Sequence, residues 1–110
     1  MTNQHLMVYC TCPDRDTATR IASALVERRQ AACANIVPGL VSIYRWEGAV
    51  QQDGEELLLI KTTADAYEAV EASILELHPY ELPEVIAVPL VRGLAGYLAW
   101  VREETAGKAE

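Results

Sequence analysis

The sequence predicts one α+β domain in which the elements follow the order β-α-β-β-α-β, with an extra helix near the C-terminal end. A length of 110 residues suits a single domain, because domains average roughly 150 residues. Short apolar runs alternate with segments that carry apolar residues at helical spacing. This order is that of a ferredoxin-like fold, and we expect residues 1–110 to form it, with a core at about 6–101 and a frayed tail at 105–110.

The first strand and the first helix are expected at residues 6–12 and at about residues 14–29. The strand is apolar at both alternating positions and stops at Pro13, which is typical of a buried central strand. Asp14 or Asp16 can accept hydrogen bonds from the first helical turn. The expected buried face of the helix consists of Ala18, Ile21, Ala22 and Leu25.

A β-hairpin is expected in the middle of the chain. Small and β-branched residues at 31–46 predict extended structure, and Pro38-Gly39 indicates either a bulge or edge in one long strand or a break between two strands. Asp53-Gly54 predicts the turn, and residues 55–62 the returning strand. A turn at Glu47-Gly48 is the alternative.

The last third of the chain predicts a helix, a short strand and a final helix. Asp65 and Glu68 resemble a capping box at the start of the second helix, which ends before Pro79. Residues 85–90 predict the fourth strand, and Pro89 places it near a sheet edge or a strand end. The final helix is expected on Leu94, Tyr97, Leu98 and Val101.

The predicted sheet has two apolar faces, and its two long helices cover only one of them. The first and third strands are apolar at both alternating positions, whereas the two long helices of this architecture cover only one face. We therefore expect self-association through sheet faces or strand edges. The alternative is that the last helix or the long hairpin covers the second face.

Composition excludes several classes of function. The chain has 16 acidic and 9 basic residues, and a net charge of −7 makes nucleic acid an unfavourable partner. No run approaches the ~18 apolar residues of a membrane span, so no membrane partner is expected. The first residues do not resemble a signal peptide, and three cysteines fit reduced thiols, so a cytoplasmic location is expected.

Two cysteines and one histidine are candidates for metal chemistry. Cys10 and Cys12 lie two apart on one face of the predicted strand, and soft thiolates suit Cu(I) or Zn. Packing as small apolar residues is the alternative for both, and Cys33, among alanines, is expected in the core. His78, just before Pro79, could stabilise a helix C-terminus, ligate a metal or transfer a proton.

Aromatic and charged residues at the strand ends favour a subunit contact over a small-ligand site. They are Tyr44, Arg45, Trp46 and Glu47 at one end of the long strand and Lys61 at the end of the third. Arginine and aromatic residues of this kind are typical of interface anchors. The chain has no phosphate-binding loop, nucleophile elbow, H-E-x-x-H or C-x-x-C motif, so no catalytic constellation is expected. A composite site across subunits with His78 as acid or base is the enzymatic alternative.

Several ordered motifs resemble the CutA divalent-cation tolerance family. They are CTCPD at 10–14, AACANIVPG at 31–39, SIYRWEG at 42–48, IKT at 60–62, HPYELPE at 78–84 and YLAW at 97–100. The resemblance spans about residues 6–101 and implies a ferredoxin-like subunit in a homotrimer similar to the PII signalling proteins. It also implies a role in tolerance of copper and other divalent cations, with no organic cofactor.

The resemblance further implies a metal site on this chain. Bacterial members of the family are described as binding copper through a strand-one cysteine and two adjacent histidines; Cys10 matches the cysteine and His78 the second histidine. Leu77 occupies the position of the first histidine, which implies weak copper or divalent-metal binding completed by water, Cys12, Glu84 or a neighbouring subunit. The alternative is a PII-like signalling or scaffolding module that binds an effector or protein partner in inter-subunit clefts. The expected cleft residues are Tyr44, Trp46, Lys61, Tyr80 and Glu84.

Overall fold

The computed structural model describes residues 4–105 and confirms the predicted order of elements. The strands are β1 (His5–Cys12), β2 (Cys33–Trp46), β3 (Ala49–Thr63) and β4 (Ile86–Leu90), and the helices are α1 (Arg15–Glu27), α2 (Tyr67–Leu77) and α3 (Ala95–Thr105). Thr105 ends α3, and the rest of the predicted tail lies outside the described residues. Within the described part, no helix has the length and apolar character needed to cross a bilayer.

The four strands form one antiparallel sheet in the order β2-β3-β1-β4. Both α1 and α2 pack on one face of it, which confirms the ferredoxin-like arrangement. Fully buried residues of this core include Val8, Ile21, Leu25, Leu58, Ile60, Val70 and Ile74. Cys10 and Cys12 lie in the same core, on the helix-covered face of β1.

The start of α1 agrees with the sequence, whereas the start of α2 does not. Asp14 is extended, and its carboxylate accepts a hydrogen bond from the Thr17 N–H at 2.8 Å, so Asp14 is the N-cap. The predicted capping box at Asp65 and Glu68 is wrong. A 3₁₀ turn, Ala64–Ala66, precedes α2, so Asp65 lies within that turn and Ala66, which has no capping side chain, occupies the N-cap position.

The hairpin turn lies at Glu47-Gly48, so the predicted turn at Asp53-Gly54 is wrong and the alternative is correct. Glu47 and Gly48 have φ values of 51° and 83°, as a tight hairpin turn with two left-handed residues requires. Asp53 and Gly54 instead pair within the ladder between β2 and β3. The third strand therefore begins at Ala49 rather than at residue 55.

Both strands that contain a proline lie at an edge of the sheet, where a missing backbone N–H is tolerated. The pairing of β2 with β3 shifts register between Val37 and Leu40, where Gly39 has a φ of 81°. This is the predicted bulge within one long edge strand. Pro89 lies in β4, which pairs only with β1 and forms the opposite edge.

The outer half of the hairpin, residues 41–54, projects beyond the four-stranded sheet and is called the arm below. Its strands pair with each other, whereas β1 pairs with β3 only from Glu56 to Thr63. An isolated two-stranded ribbon is marginally stable in water. The arm nevertheless exposes large apolar side chains: Val41, Ile43, Tyr44, Trp46 and Val50.

The sheet face opposite α1 and α2 is only partly covered, and we call it the helix-free face. Tyr9, Leu59 and Ile86 lie side by side on it, and Ile86 is 55% exposed. Helix α3 packs at one end of this face, where the His5 ring donates a hydrogen bond from Nε2 to the Leu98 carbonyl at 2.8 Å. The last helix therefore shields one end of the face and leaves β4 exposed.

Candidate metal centre and adjoining cavity

The structure brings Cys10, Cys12 and His78 together in the core. One ligand atom from each residue lies within 4.8 Å of the others. The two cysteines are fully buried and His78 is 7% exposed. Cys12 thus joins the two predicted ligands, because alternate side chains of β1 point toward the same helix-covered face.

The end of α2 orients the His78 ring toward β1. The backbone N–H of His78 closes the helix with a 2.8 Å hydrogen bond to the Ile74 carbonyl, and its own backbone is extended. The ring then donates from Nε2 to the Thr11 carbonyl at 2.8 Å and accepts the Tyr80 N–H at Nδ1, at 3.1 Å. Both ring nitrogens are therefore engaged by backbone groups, and the pattern fixes the Nε2–H tautomer.

The two thiols influence each other's titration. Interaction with the neighbouring Cys12, followed by burial, raises the pKa of the Cys10 thiol well above its ordinary value. Interaction with Cys10 lowers the pKa of Cys12, and burial opposes that shift. Cys10 is therefore the more strongly protonated thiol of the pair, and its Sγ donates a long hydrogen bond to the Thr11 carbonyl at 3.9 Å.

The three donor atoms are of the types that bind soft metal ions, and they must move slightly closer together to bind one ion. Two sulfurs and one imidazole nitrogen suit copper or zinc and do not suit magnesium or calcium. Sulfurs at a typical Zn–S distance of ~2.3 Å from one tetrahedral ion are about 3.8 Å apart. Separations of up to 4.8 Å therefore close by about an ångström through side-chain rotation, and His78 must exchange a backbone hydrogen bond for the metal.

Burial describes two further residues outside the cluster. Leu77, which precedes His78, packs partly buried against the core. Cys33 was expected in the core and is only half-buried, because it lies on the helix-free face, paired with Lys61. Cys33 therefore does not join the sulfur cluster.

A cavity of about 590 Å³ lies on the helix-free face at the base of the arm. Four of the five predicted cleft residues line it, namely Tyr44, Trp46, Tyr80 and Glu84. Lys61 does not line this cavity and lies at the other end of β3, where its Nζ donates to Asn35 and lies 3.8 Å from Cys33 Sγ. The structure thus separates Lys61 from the other four.

Hydrogen bonds tie the cavity wall to β1 and β3. The Tyr80 hydroxyl donates to Glu55 Oε2 at 2.7 Å, and burial followed by this hydrogen bond raises the pKa of Tyr80. The Tyr44 hydroxyl donates to the Asp53 carboxylate. The Thr11 hydroxyl is 3.4 Å from Glu84 Oε1, at the limit of a hydrogen bond.

Sequence reasoning missed Glu55 and Thr11. Glu55 is 8% exposed and lines the cavity, yet its partner Tyr80 is 25 residues away in the chain. Thr11 lies between the two cysteines and contacts both His78 and Glu84. No local motif predicts these contacts. The position of Thr11 between two cysteines of one strand indicates only that its side chain lies on the opposite face of the sheet from theirs.

The fold and the two sites define a class of protein. The chain is a small ferredoxin-like domain with a sulfur- and nitrogen-donor cluster in its core, an acidic cavity and uncovered apolar strands. That combination is expected of a binding protein that works with metal ions or small ligands.

The family follows from comparison with known proteins. The profile of the CutA1 divalent ion tolerance family matches residues 6–104, and the chain belongs to this family. The divalent-cation tolerance protein CutA of Thermus thermophilus is 52% identical over 99 residues, covering 90% of this chain and 96% of that protein. The family is described by tolerance of divalent ions and not by a reaction.

Plant proteins extend the same relationship. The chloroplastic protein CutA of Arabidopsis thaliana is 44% identical over 100 residues, which are 91% of this chain and 55% of that protein, so the chain spans about half its length. The crystal structure of CutA1 from Oryza sativa superimposes with a TM-score of 0.93 at 41% identity, covering 97% of this chain and 98% of the other.

Proposed function

We propose that this protein contributes to metal-ion tolerance by binding copper that is already in the cuprous state, through Cys10, Cys12 and His78 in each subunit of a homotrimer. The observation that carries the proposal is the convergence of these three donors within 4.8 Å in the core. Cys12 then serves as the third ligand, in place of the family histidine to whose position the resemblance assigns Leu77.

The choice of the cuprous ion follows from donor softness and from the number of ligands. Thiolates select Cu(I) over harder ions, and an imidazole is also a good copper ligand. A catalytic type of zinc site needs a fourth ligand, usually water, in an open position. Cys10 and Cys12 are fully buried, so a three-ligand cuprous ion suits this site better than zinc with a bound water.

The same burial makes the binding slow and modest. A metal ion reaches the sulfurs only when the packing between β1 and α2 opens, and His78 must give up a hydrogen bond to Thr11 or Tyr80. Losing a buried hydrogen bond costs about 1–3 kcal/mol, which offsets part of the metal–ligand energy. We therefore expect weaker binding than in a preformed, exposed copper site.

Trimer formation is supported by the surfaces that one subunit leaves uncovered. The arm exposes Val41, Ile43 and Val50 at 62–66%, and a two-stranded ribbon gains stability only by packing on another element. Ile86 and Val88 of edge strand β4 are also exposed. Packing the arm and the edge strands on neighbouring subunits would bury these residues.

The test is an anaerobic Cu(I) titration of the reduced protein against a chromophoric chelator. We expect one ion per subunit, and we expect Cys10→Ser, Cys12→Ser and His78→Gln each to lower the affinity by about tenfold or more, because each removes one of three ligands. Cys33→Ser is the matched control and should bind like the unaltered protein.

Light scattering and circular dichroism establish that every variant stays folded and assembled. Absence of binding by intact protein would contradict the proposed copper function. Unchanged affinity in both Cys10→Ser and Cys12→Ser would show that copper binds elsewhere.

A further inference from the structure

We infer that the cavity at the base of the arm binds an organic cation, an ammonium or guanidinium group carried on an apolar body. The cavity lies on the opposite face of the sheet from the cysteine cluster, and the inference does not depend on copper binding. It rests on the size of the cavity, the charge of its wall, a buried carboxylate and aromatic surface.

The size of the cavity favours a small organic molecule. Its volume of about 590 Å³ falls within the roughly 300–1,000 Å³ typical of small-molecule sites. A bare or hydrated metal ion would leave most of this space empty. Ile43 and Leu82 add apolar surface to the wall, which contributes nothing to holding a hydrated ion.

The charge of the wall selects a cation. Glu55, Glu81 and Glu84 line the cavity, and none of the described lining residues is basic. No ion pair within the described part of the chain involves these three carboxylates. The net charge of −7 adds a favourable long-range field for a positively charged ligand.

Glu55 is the strongest single indication of a ligand. Glu55 is 8% exposed, and among the contacts of the described residues only Oε2 accepts a hydrogen bond, from Tyr80. Oε1 receives no hydrogen bond from the described residues, so it is available to accept one from a ligand in the cavity that Glu55 lines. An ammonium or guanidinium N–H group is the donor that best matches a carboxylate oxygen.

Aromatic side chains provide the second type of contact. Tyr44, Trp46 and Tyr80 line the same cavity, and cations bind favourably to the faces of such rings. A desolvated contact between a cation and a ring is stronger than an exposed one. Carboxylates and rings together are therefore expected to favour organic cations over both neutral molecules and anions.

The experiment is isothermal titration calorimetry of the reduced full chain, without added metal, using agmatine as the probe. Agmatine carries a guanidinium and an ammonium group on a four-carbon body. The controls are 1,4-butanediol, which has the same carbon body without charge, succinate as an anion, and Mg²⁺ as a hard cation. We expect saturable binding of agmatine and none of the three controls.

Two isosteric variants locate the binding site. Glu55→Gln keeps an acceptor for Tyr80 and removes the charge, and it should lower agmatine affinity by about tenfold or more. Glu68→Gln, on the exposed side of α2, makes the same charge change away from the cavity and should bind like the unaltered protein.

The outcomes separate this site from the copper site. Failure of agmatine to bind, as when a neighbouring subunit fills the cavity, would overturn the inference, and so would equal affinity in Glu55→Gln and the unaltered protein. Tighter binding of Mg²⁺ than of agmatine would also overturn it. None of these results bears on Cu(I) binding by Cys10→Ser or Cys12→Ser, so failure of one proposal is distinguishable from failure of the other.

Discussion

At the scale of single residues, Thr11 joins the two sites. Its backbone carbonyl accepts a hydrogen bond from the ring Nε2–H of His78, which belongs to the cysteine cluster. Its hydroxyl lies on the helix-free face, 3.4 Å from Oε1 of Glu84 in the cavity wall. Because neighbouring side chains of a strand point to opposite faces, a residue between two core cysteines must face the cavity. One strand therefore supplies sulfur to the core and a hydroxyl to the cavity wall.

The cap of α1 gives a pH-dependent contribution to stability. Hydrogen bonds from Thr17 hold the pKa of Asp14 below its ordinary value of 3.8. A carboxyl whose pKa is depressed by folding adds stability above its unfolded pKa and loses it as the pH falls through the folded pKa. We expect Asp14→Asn, which keeps an acceptor, to lose stability less steeply below about pH 4 than the unaltered protein.

Thermal unfolding between pH 7 and pH 3, at one protein concentration, measures this difference. Asp16→Asn is the control, because it removes a carboxylate from the same turn that caps nothing. The same acid dependence in Asp14→Asn and the unaltered protein would contradict the assignment.

At the scale of elements, the hairpin turn depends on backbone handedness. Gly48 has a φ of 83°, and an L side chain in the left-handed region costs about 1–2 kcal/mol. We expect Gly48→Ala to lower the free energy of unfolding by that amount. Gly96→Ala, in α3 with open space around the added carbon, should instead raise it by about 0.5–1 kcal/mol.

Urea unfolding at fixed protein concentration distinguishes these opposite signs. A negligible effect of Gly48→Ala would mean that the turn relaxes to another geometry.

The elements themselves were predictable from the sequence, whereas the turn and the sites were only partly so. Periodicity defines β1 and α1 because burial of a strand or a helix face leaves a local pattern. The choice between Asp53-Gly54 and Glu47-Gly48 depends on the register of the long hairpin, which local turn preference does not determine. Cys10 and His78 are candidates by their residue types and are paired by the resemblance, but the contact between Glu55 and Tyr80 depends on how distant segments fold together.

At the scale of the whole molecule, the arm is the feature that most favours self-association. Val50 is 65% exposed on a two-stranded ribbon and does not line the cavity. If the arm packs on a neighbouring subunit, Val50→Lys would bury an unpaired charge and weaken assembly. We expect the unaltered protein to have the mass of three subunits and Val50→Lys to shift toward smaller species at micromolar concentration.

Sedimentation velocity at several concentrations measures this shift. Leu75→Lys, at a position 58% exposed on α2, makes a similar change on the helix side and should not alter the mass. A single-subunit mass for the unaltered protein would contradict the trimer.

The copper-edge X-ray absorption spectrum of the reduced protein, loaded with one Cu(I) per subunit, identifies the atoms bound to the metal. We predict a first shell of two sulfurs and one nitrogen, supplied by Cys10, Cys12 and His78. A first shell of oxygen or nitrogen atoms without sulfur would contradict this prediction.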